Sequence, residues 1–220
     1  MSSDAALTLN LWNQNLGRVP DSVWQRTDLE TLILAGNNLE VVSEQIGRLT
    51  KLRTLDLGHN RLTCLPNALG EISGLTDFLY LHDNHLTSLP RSLTGLSQLR
   101  YLNISENAFT ELPDVVTELA GLIELRANGN QIASLSESIA RLSRLRELHL
   151  RNNRLASLHA SVGELSDLRQ LDLRGNPLTQ LPDAIAGLPR LEKLDLRWVP
   201  TLTPPPWIAD LQARGCLVYR

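Results

Sequence analysis

Five histidines (His59, His82, His85, His149 and His159) and two cysteines (Cys64 and Cys216) are the side chains best suited to proton transfer, nucleophilic attack or metal binding in this 220-residue chain. Only His82-Asp83-Asn84-His85 sets two of them close together, and the second lies beyond a turn, so no metal or cofactor site is expected. Asp56 and Asp172 occupy equivalent positions but stand five repeats apart, too far for paired carboxylate catalysis. The chain has no glycine-rich phosphate loop, no nucleophile elbow and no HExxH, and is expected not to be an enzyme. Binding chemistry is better represented. Phe78, Tyr80, His82 and Tyr101 cluster near the middle, and Arg126, His149, Arg151, Arg174 and Arg197 follow. Aromatic rings and guanidinium groups are the side chains most enriched at protein interfaces.

The frame that positions these residues is set by Asn37, Asn60, Asn84, Asn107, Asn130, Asn153 and Asn176, at intervals of 23, 24, 23, 23, 23 and 23 residues. Around each, apolar residues recur three and five positions before and two, five, nine and twelve after, as in Leu55-Asp56-Leu57-Gly58-His59-Asn60-Arg61-Leu62. Alternation over three residues predicts a short strand whose leucines face a core and whose intervening residue faces outward. Proline six residues after the asparagine (Pro66, Pro90, Pro113, Pro182) keeps the chain extended before a helical turn that returns the apolar residues inward. The asparagine carboxamide, with two donors and an acceptor oxygen, suits backbone groups left unpaired where each strand bends.

In this pattern the chain resembles the leucine-rich repeat family, in the intracellular class whose unit reads LxxLxLxxNxLxxLPxxIxxLxx, over about residues 7 to 219. The resemblance implies an α/β solenoid, or horseshoe, with a parallel β-sheet on the concave face and short helical or 3-10 turns on the convex face. It also implies a scaffold that binds a protein or peptide, or alternatively the substrate-recognition module of a larger signalling or effector enzyme such as a ubiquitin ligase or kinase.

Composition fits. Of 220 residues 48 are leucine and only 4% are aromatic, so the core is expected to be stacked aliphatic layers in one domain, 1–220. Degenerate units at 1–26 and 191–220 read as cap-like, with Gln14 and Val199 in place of the asparagine and Arg26 in place of a leucine. No apolar run reaches the roughly 18 residues of a membrane span, and the opening residues lack the apolar stretch of a signal peptide. Cys64 and Cys216 are many strands apart and are not expected to pair. With no cysteine-rich caps, a cytoplasmic location is expected, with delivery into a host cell as an effector a variant of it. The arginine-rich, lysine-poor composition hints at a bacterial source.

Three outward columns flank each asparagine, at minus six, minus four and minus two, and there Phe78, Tyr80 and Tyr101 fall on adjacent strands with His82 beside them. They are expected to anchor a partner; mutual cover of neighbouring rings is the alternative. The 24-residue interval is expected to place a bulge in Thr76-Asp77-Phe78-Leu79-Tyr80 that re-aims side chains. Arg151, Arg174 and Arg197 share one column, with Glu124, Glu147, Asp172 and Asp195 in adjoining ones. A solvated salt-bridge lattice is the simpler reading there, an acidic partner the sharper one. A net charge of −3 without an uncompensated basic stripe argues against nucleic acid. A monomer is expected, with edge-mediated dimerisation the alternative.

Overall fold

The computed structural model describes residues 7–220; the expectation about the opening residues, and the first part of the cap-like unit 1–26, lie outside them. Two compact units are distinguished, one ending at Ala108 and one running from Phe109 to Arg220. In the first, β1 (Thr8–Asn10), β2 (Thr31–Ile33), β3 (Thr54–Asp56), β4 (Phe78–Tyr80) and β5 (Tyr101–Asn103) pair in sequence order, all parallel. In the second, β6 (Glu124–Arg126), β7 (Glu147–His149), β8 (Gln170–Asp172), β9 (Lys193–Asp195) and β10 (Leu217–Tyr219) do the same. This is the expected leucine-rich repeat solenoid.

Each strand is three residues long, and from β2 to β9 its middle leucine is buried, because in a strand only alternate side chains can face one side. After the asparagine turn, the return turns are 3-10 helices, such as Glu44–Arg48 and Asn67–Glu71, with one α-helical turn, α1 (Asp114–Thr117). Pro66, Pro90, Pro113 and Pro182 each sit at the N-cap with ψ between 134° and 148°, where a missing N–H costs nothing. Where proline is absent, Ser43 and His159 cap instead, accepting hydrogen bonds from Gln45 N and Ser161 N. The apolar residue nine after each asparagine lies inside its turn and the one twelve after lies at its end, all buried.

The asparagines form a hydrogen-bonded ladder. Asn60 Nδ2 donates to the carbonyls of Leu34, Leu57 and Gly58 at 3.0–3.1 Å, and its Oδ1 accepts from the amides of Asn37 and Leu39 at 3.0 Å. Asn37 makes the same five bonds in the first unit, and in the second Asn153 and Asn176 each donate to three carbonyls while accepting from Ile132 N and Leu155 N. One side chain therefore satisfies turn groups in its own repeat and in the one before it.

Two expectations need correction. The extra residue of the 24-residue interval does not bulge the strand: Phe78, Leu79 and Tyr80 pair with Thr54, Leu55 and Asp56 in unbroken register. It is absorbed upstream at Thr76, whose hydroxyl donates to Asp77 while Arg53 holds the Asp77 carboxylate at 3.0 Å, so the aromatics keep the regular aim of the sheet. Asn103, in the minus-four column expected to face outward, is buried, and its Oδ1 accepts from Ser105 N at 3.0 Å.

The outer repeats close in their own ways. Trp24, 1% exposed, fills the core of the first repeat, while Arg26 turns outward to Asp28 at 3.1 Å. At the other end α2 (Ile208–Ala213) buries Ile208 and Leu211, and Trp207 Nε1 donates to Asp183 at 2.9 Å.

Candidate functional site

The outward side chains of β4 and β5 form one ring cluster in the first unit. Phe78 and Tyr80 stack with centroids 6.0 Å apart and planes 11° from parallel, and Tyr101 tilts against both at 5.4 and 5.0 Å. Tyr80 in turn meets His82 edge-on at 6.1 Å, and His82 meets His59 at 4.6 Å. Parallel pairing in register places side chains from adjacent strands within ring-contact range. Phe78 is 42% exposed, so its hydrophobic face stays open to solvent despite its neighbours. The cluster includes all four sequence-predicted aromatic and histidine residues of this unit, plus His59.

His59 was missed because it stands one position before the asparagine, outside the three outward columns. That position is left-handed in every repeat: His59, Asp83, Glu106, Asn152 and Trp198 have φ between 52° and 59°, and Gly36, Gly129 and Gly175 take the same place elsewhere. The recurring glycines and asparagine were the available signal. The left-handed turn lifts His59 and Trp198 onto the outward surface.

In the second unit the predicted cations are held in place by carboxylates. Arg126 pairs with Glu124; Arg174 pairs with Asp172 and, at 3.5 Å, with Asp195; Arg197 pairs with Asp195 at 2.7 Å. His149 Nε2 lies 3.1 Å from Glu147, and its Nδ1 4.0 Å from Asp172. Ligand atoms of Glu124, Glu147 and His149 come within 4.8 Å of one another, with the Arg126 guanidinium already paired to Glu124. The salt-bridge lattice is thus present. Within it, Arg126, His149, Arg151, Arg174 and Lys193 surround a recess of about 230 Å³ whose lining includes the buried Asp172. Arg197 lies apart from the recess, its guanidinium over the rings of Trp198 and Tyr219 at 5.8 and 5.2 Å. Arg151 differs from the others: its Nε is buried and meets no hydrogen-bond partner.

Burial by itself would raise the Asp172 carboxyl, but hydrogen bonds from Arg174 and His149 outweigh it and hold the group well below the usual carboxylate range. A depressed folded-state pKa adds stability above the unfolded value, about 3.9, and that stability is lost as pH falls toward the folded value. Asp172→Asn is therefore expected to flatten the fall in melting temperature between about pH 5 and pH 2 relative to wild type. Parallel curves for the two proteins would contradict this.

Among the described residues no helix is long and apolar enough to cross a membrane. Cys64 is exposed and Cys216 buried, both as free thiols.

The Leucine rich repeat family model matches residues 7–62, 27–86, 76–132 and 143–198. Among solved structures, the chain is similar to a Leptospira interrogans LRR protein, at a TM-score of 0.75 and 26% identity over 93% of this chain and 64% of that one. It is similar to the LRR ectodomain of the Arabidopsis thaliana membrane receptor kinase GASSHO1/SCHENGEN3, solved in complex with CASPARIAN STRIP INTEGRITY FACTOR 2 (TM-score 0.78, 30% identity, 92% of this chain, 25% of that one). It is also similar to the leucine-rich repeat domain of the type III effector XopL (TM-score 0.69, 31% identity, 84% of this chain, 74% of that one). The chain thus spans under two thirds of the first two of these. No curated protein matches it. The repeat fold is a protein-interaction module, and this chain belongs to the leucine-rich repeat family.

Proposed function

We infer that the chain is a non-catalytic scaffold that binds a protein or peptide through the outward face of its strands. The single observation that carries this reading is the aromatic cluster of Phe78, Tyr80 and Tyr101. Three rings gathered on an open sheet surface, one of them 42% exposed, keep in water apolar area that monomeric proteins usually cover. The Arg151 recess is a second, separate contact, suited to acidic side chains of the partner. Complexes such as that of the plant receptor ectodomain with CASPARIAN STRIP INTEGRITY FACTOR 2 support a peptide or protein ligand for this fold. Since lattice carboxylates offset most of the cations, nucleic acid is not the intended partner. We place the chain in a cytoplasm as a monomer, as a single functional domain of about nine repeats.

A second reading, recognition module of a larger effector or receptor enzyme, is favoured by the similarity to the repeat domain of XopL and to an ectodomain four times longer. The parent open reading frame separates the two: a catalytic domain in the same gene selects the second. The binding reading itself is tested by capturing partners from lysate with wild type and with the Tyr80→Ala/Tyr101→Ala double variant; equal capture would sink it.

Arg174 is ion-paired and also lines the recess, whereas the Arg151 Nε there meets no hydrogen-bond partner. Arg174 neutralises two buried carboxylates, so Arg174→Ala is expected to cost stability as well as binding. Arg151→Ala is expected to leave the melting temperature unchanged, to slow association with an acidic partner severalfold, and to weaken its salt dependence. Surface kinetics at two ionic strengths decides: a change confined to the dissociation rate would remove Arg151 from a steering role.

A further inference from the structure

We propose that His59 and His82 form a binding site for one divalent transition-metal ion, Zn²⁺, Ni²⁺ or Cu²⁺, on the outward surface of the first unit. The two Nε2 atoms face each other at 3.2 Å. Two imidazoles on one tetrahedral ion, each about 2.0–2.1 Å from it, hold their nitrogens roughly 3.3 Å apart, so the nitrogen spacing already suits an ion and the rings, with centroids 4.6 Å apart, need only swing slightly outward to aim both lone pairs at it.

The surrounding groups fix the lone pairs on the inward-facing atoms. Asp83 Oδ2 lies 2.6 Å from His59 Nδ1. A carboxylate only accepts, so Nδ1 carries a proton and Nε2 is the nitrogen left for an ion on the His82 side. A carboxylate behind an imidazole is the arrangement that sets tautomer and basicity in metal-bound histidines. On the other side, His82 Nδ1 is buried and meets no hydrogen-bond partner. Binding an ion through His82 Nε2 places that ring's proton on Nδ1.

The backbone is shaped to this contact. The His82 ring lies across Gly58, where an added Cβ would come 2.4 Å from Cε1. His59 and Asp83 both hold φ of 52°, the left-handed turn that lifts them to the surface. Both are more than half exposed, so an ion enters directly and water completes its coordination. The pair joins adjacent repeats, 23 residues apart, and not His82 with His85 along the chain. The site stands independently of the protein-binding reading.

The test uses tag-free protein stripped with chelator and titrated with Ni²⁺ by calorimetry, and with Cu²⁺ by electron paramagnetic resonance. One equivalent is expected, with a two-nitrogen Cu²⁺ spectrum. His59→Ala and His82→Ala are each expected to lower affinity at least tenfold, and Asp83→Asn about tenfold. Gly58→Ala, which keeps both imidazoles but displaces the His82 ring, is expected to weaken binding as well, whereas His85→Ala and His159→Ala leave it unchanged. Circular dichroism checks each fold, and His82→Gln replaces an alanine variant that folds poorly. Absence of a one-to-one isotherm, or an undiminished one in the His59/His82 double variant, overturns the site.

Discussion

Tyr80→Ala and Tyr101→Ala are each expected to weaken partner binding at least about tenfold, or about 1.4 kcal/mol, and the double variant further still. The two rings sit against each other and against Phe78 at centroid distances of 5.0–6.0 Å. Packed this way they present a broad amphipathic surface with few rotamers left to freeze, which is why tyrosines so often anchor an interface. Truncating one removes its own area and unseats its neighbours, so the losses should exceed the sum of the contacts. Folding is affected far less, since neighbouring ring pairs on a sheet contribute about 0.2–1 kcal/mol each. Calorimetry with a captured partner, alongside urea unfolding of the same variants, separates the effects. Full affinity in the double variant would move the site to another surface. A shift in the urea midpoint accounting for the whole loss would return the rings to a purely structural role.

The solenoid was legible because its signal repeats. Each asparagine and each strand-centre leucine is predicted by its counterpart 23 positions earlier, or 24 across one interval, and the physics that buries Leu55 also buries Leu32 and Leu79. Phe78, Tyr80 and Tyr101 were legible for the same reason, as departures from the frame at outward positions. What the frame could not express was less visible. The insertion at Thr76 looked like a strand bulge because spacing counts residues without saying where the chain accommodates them; the Arg53–Asp77 pair decides that. Asn103 carries an outward position yet is buried, since exposure depends on neighbouring side chains as well as on the column. His59 and Trp198 stand where a left-handed turn is required, and such a turn aims side chains in a direction that strand alternation does not describe.

Asn60→Ala is expected to be among the most damaging of the single polar substitutions, destabilising the chain by at least about 1–3 kcal/mol. The carboxamide makes three donor bonds and accepts two, and its alanine replacement leaves the amides of Asn37 and Leu39 with no side-chain acceptor. Those amides belong to the preceding repeat, so the loss falls on the coupling between neighbours. In a solenoid, stability is carried by such nearest-neighbour terms, and weakening one frays the stack from that point. Asn107, which is only half-buried, makes three donor bonds, and its Oδ1 accepts from Leu86 N. Its alanine variant should therefore lose less. Asn67→Ala, at an exposed turn position, should stay within about 0.5 kcal/mol. Equilibrium denaturation of the three variants ranks them; a loss at Asn60 no greater than at Asn67 would mean the ladder contributes nothing to holding the repeats together. A denaturation slope that falls in Asn60→Ala alone would show the two-state transition breaking at this rung, as a nearest-neighbour stack requires.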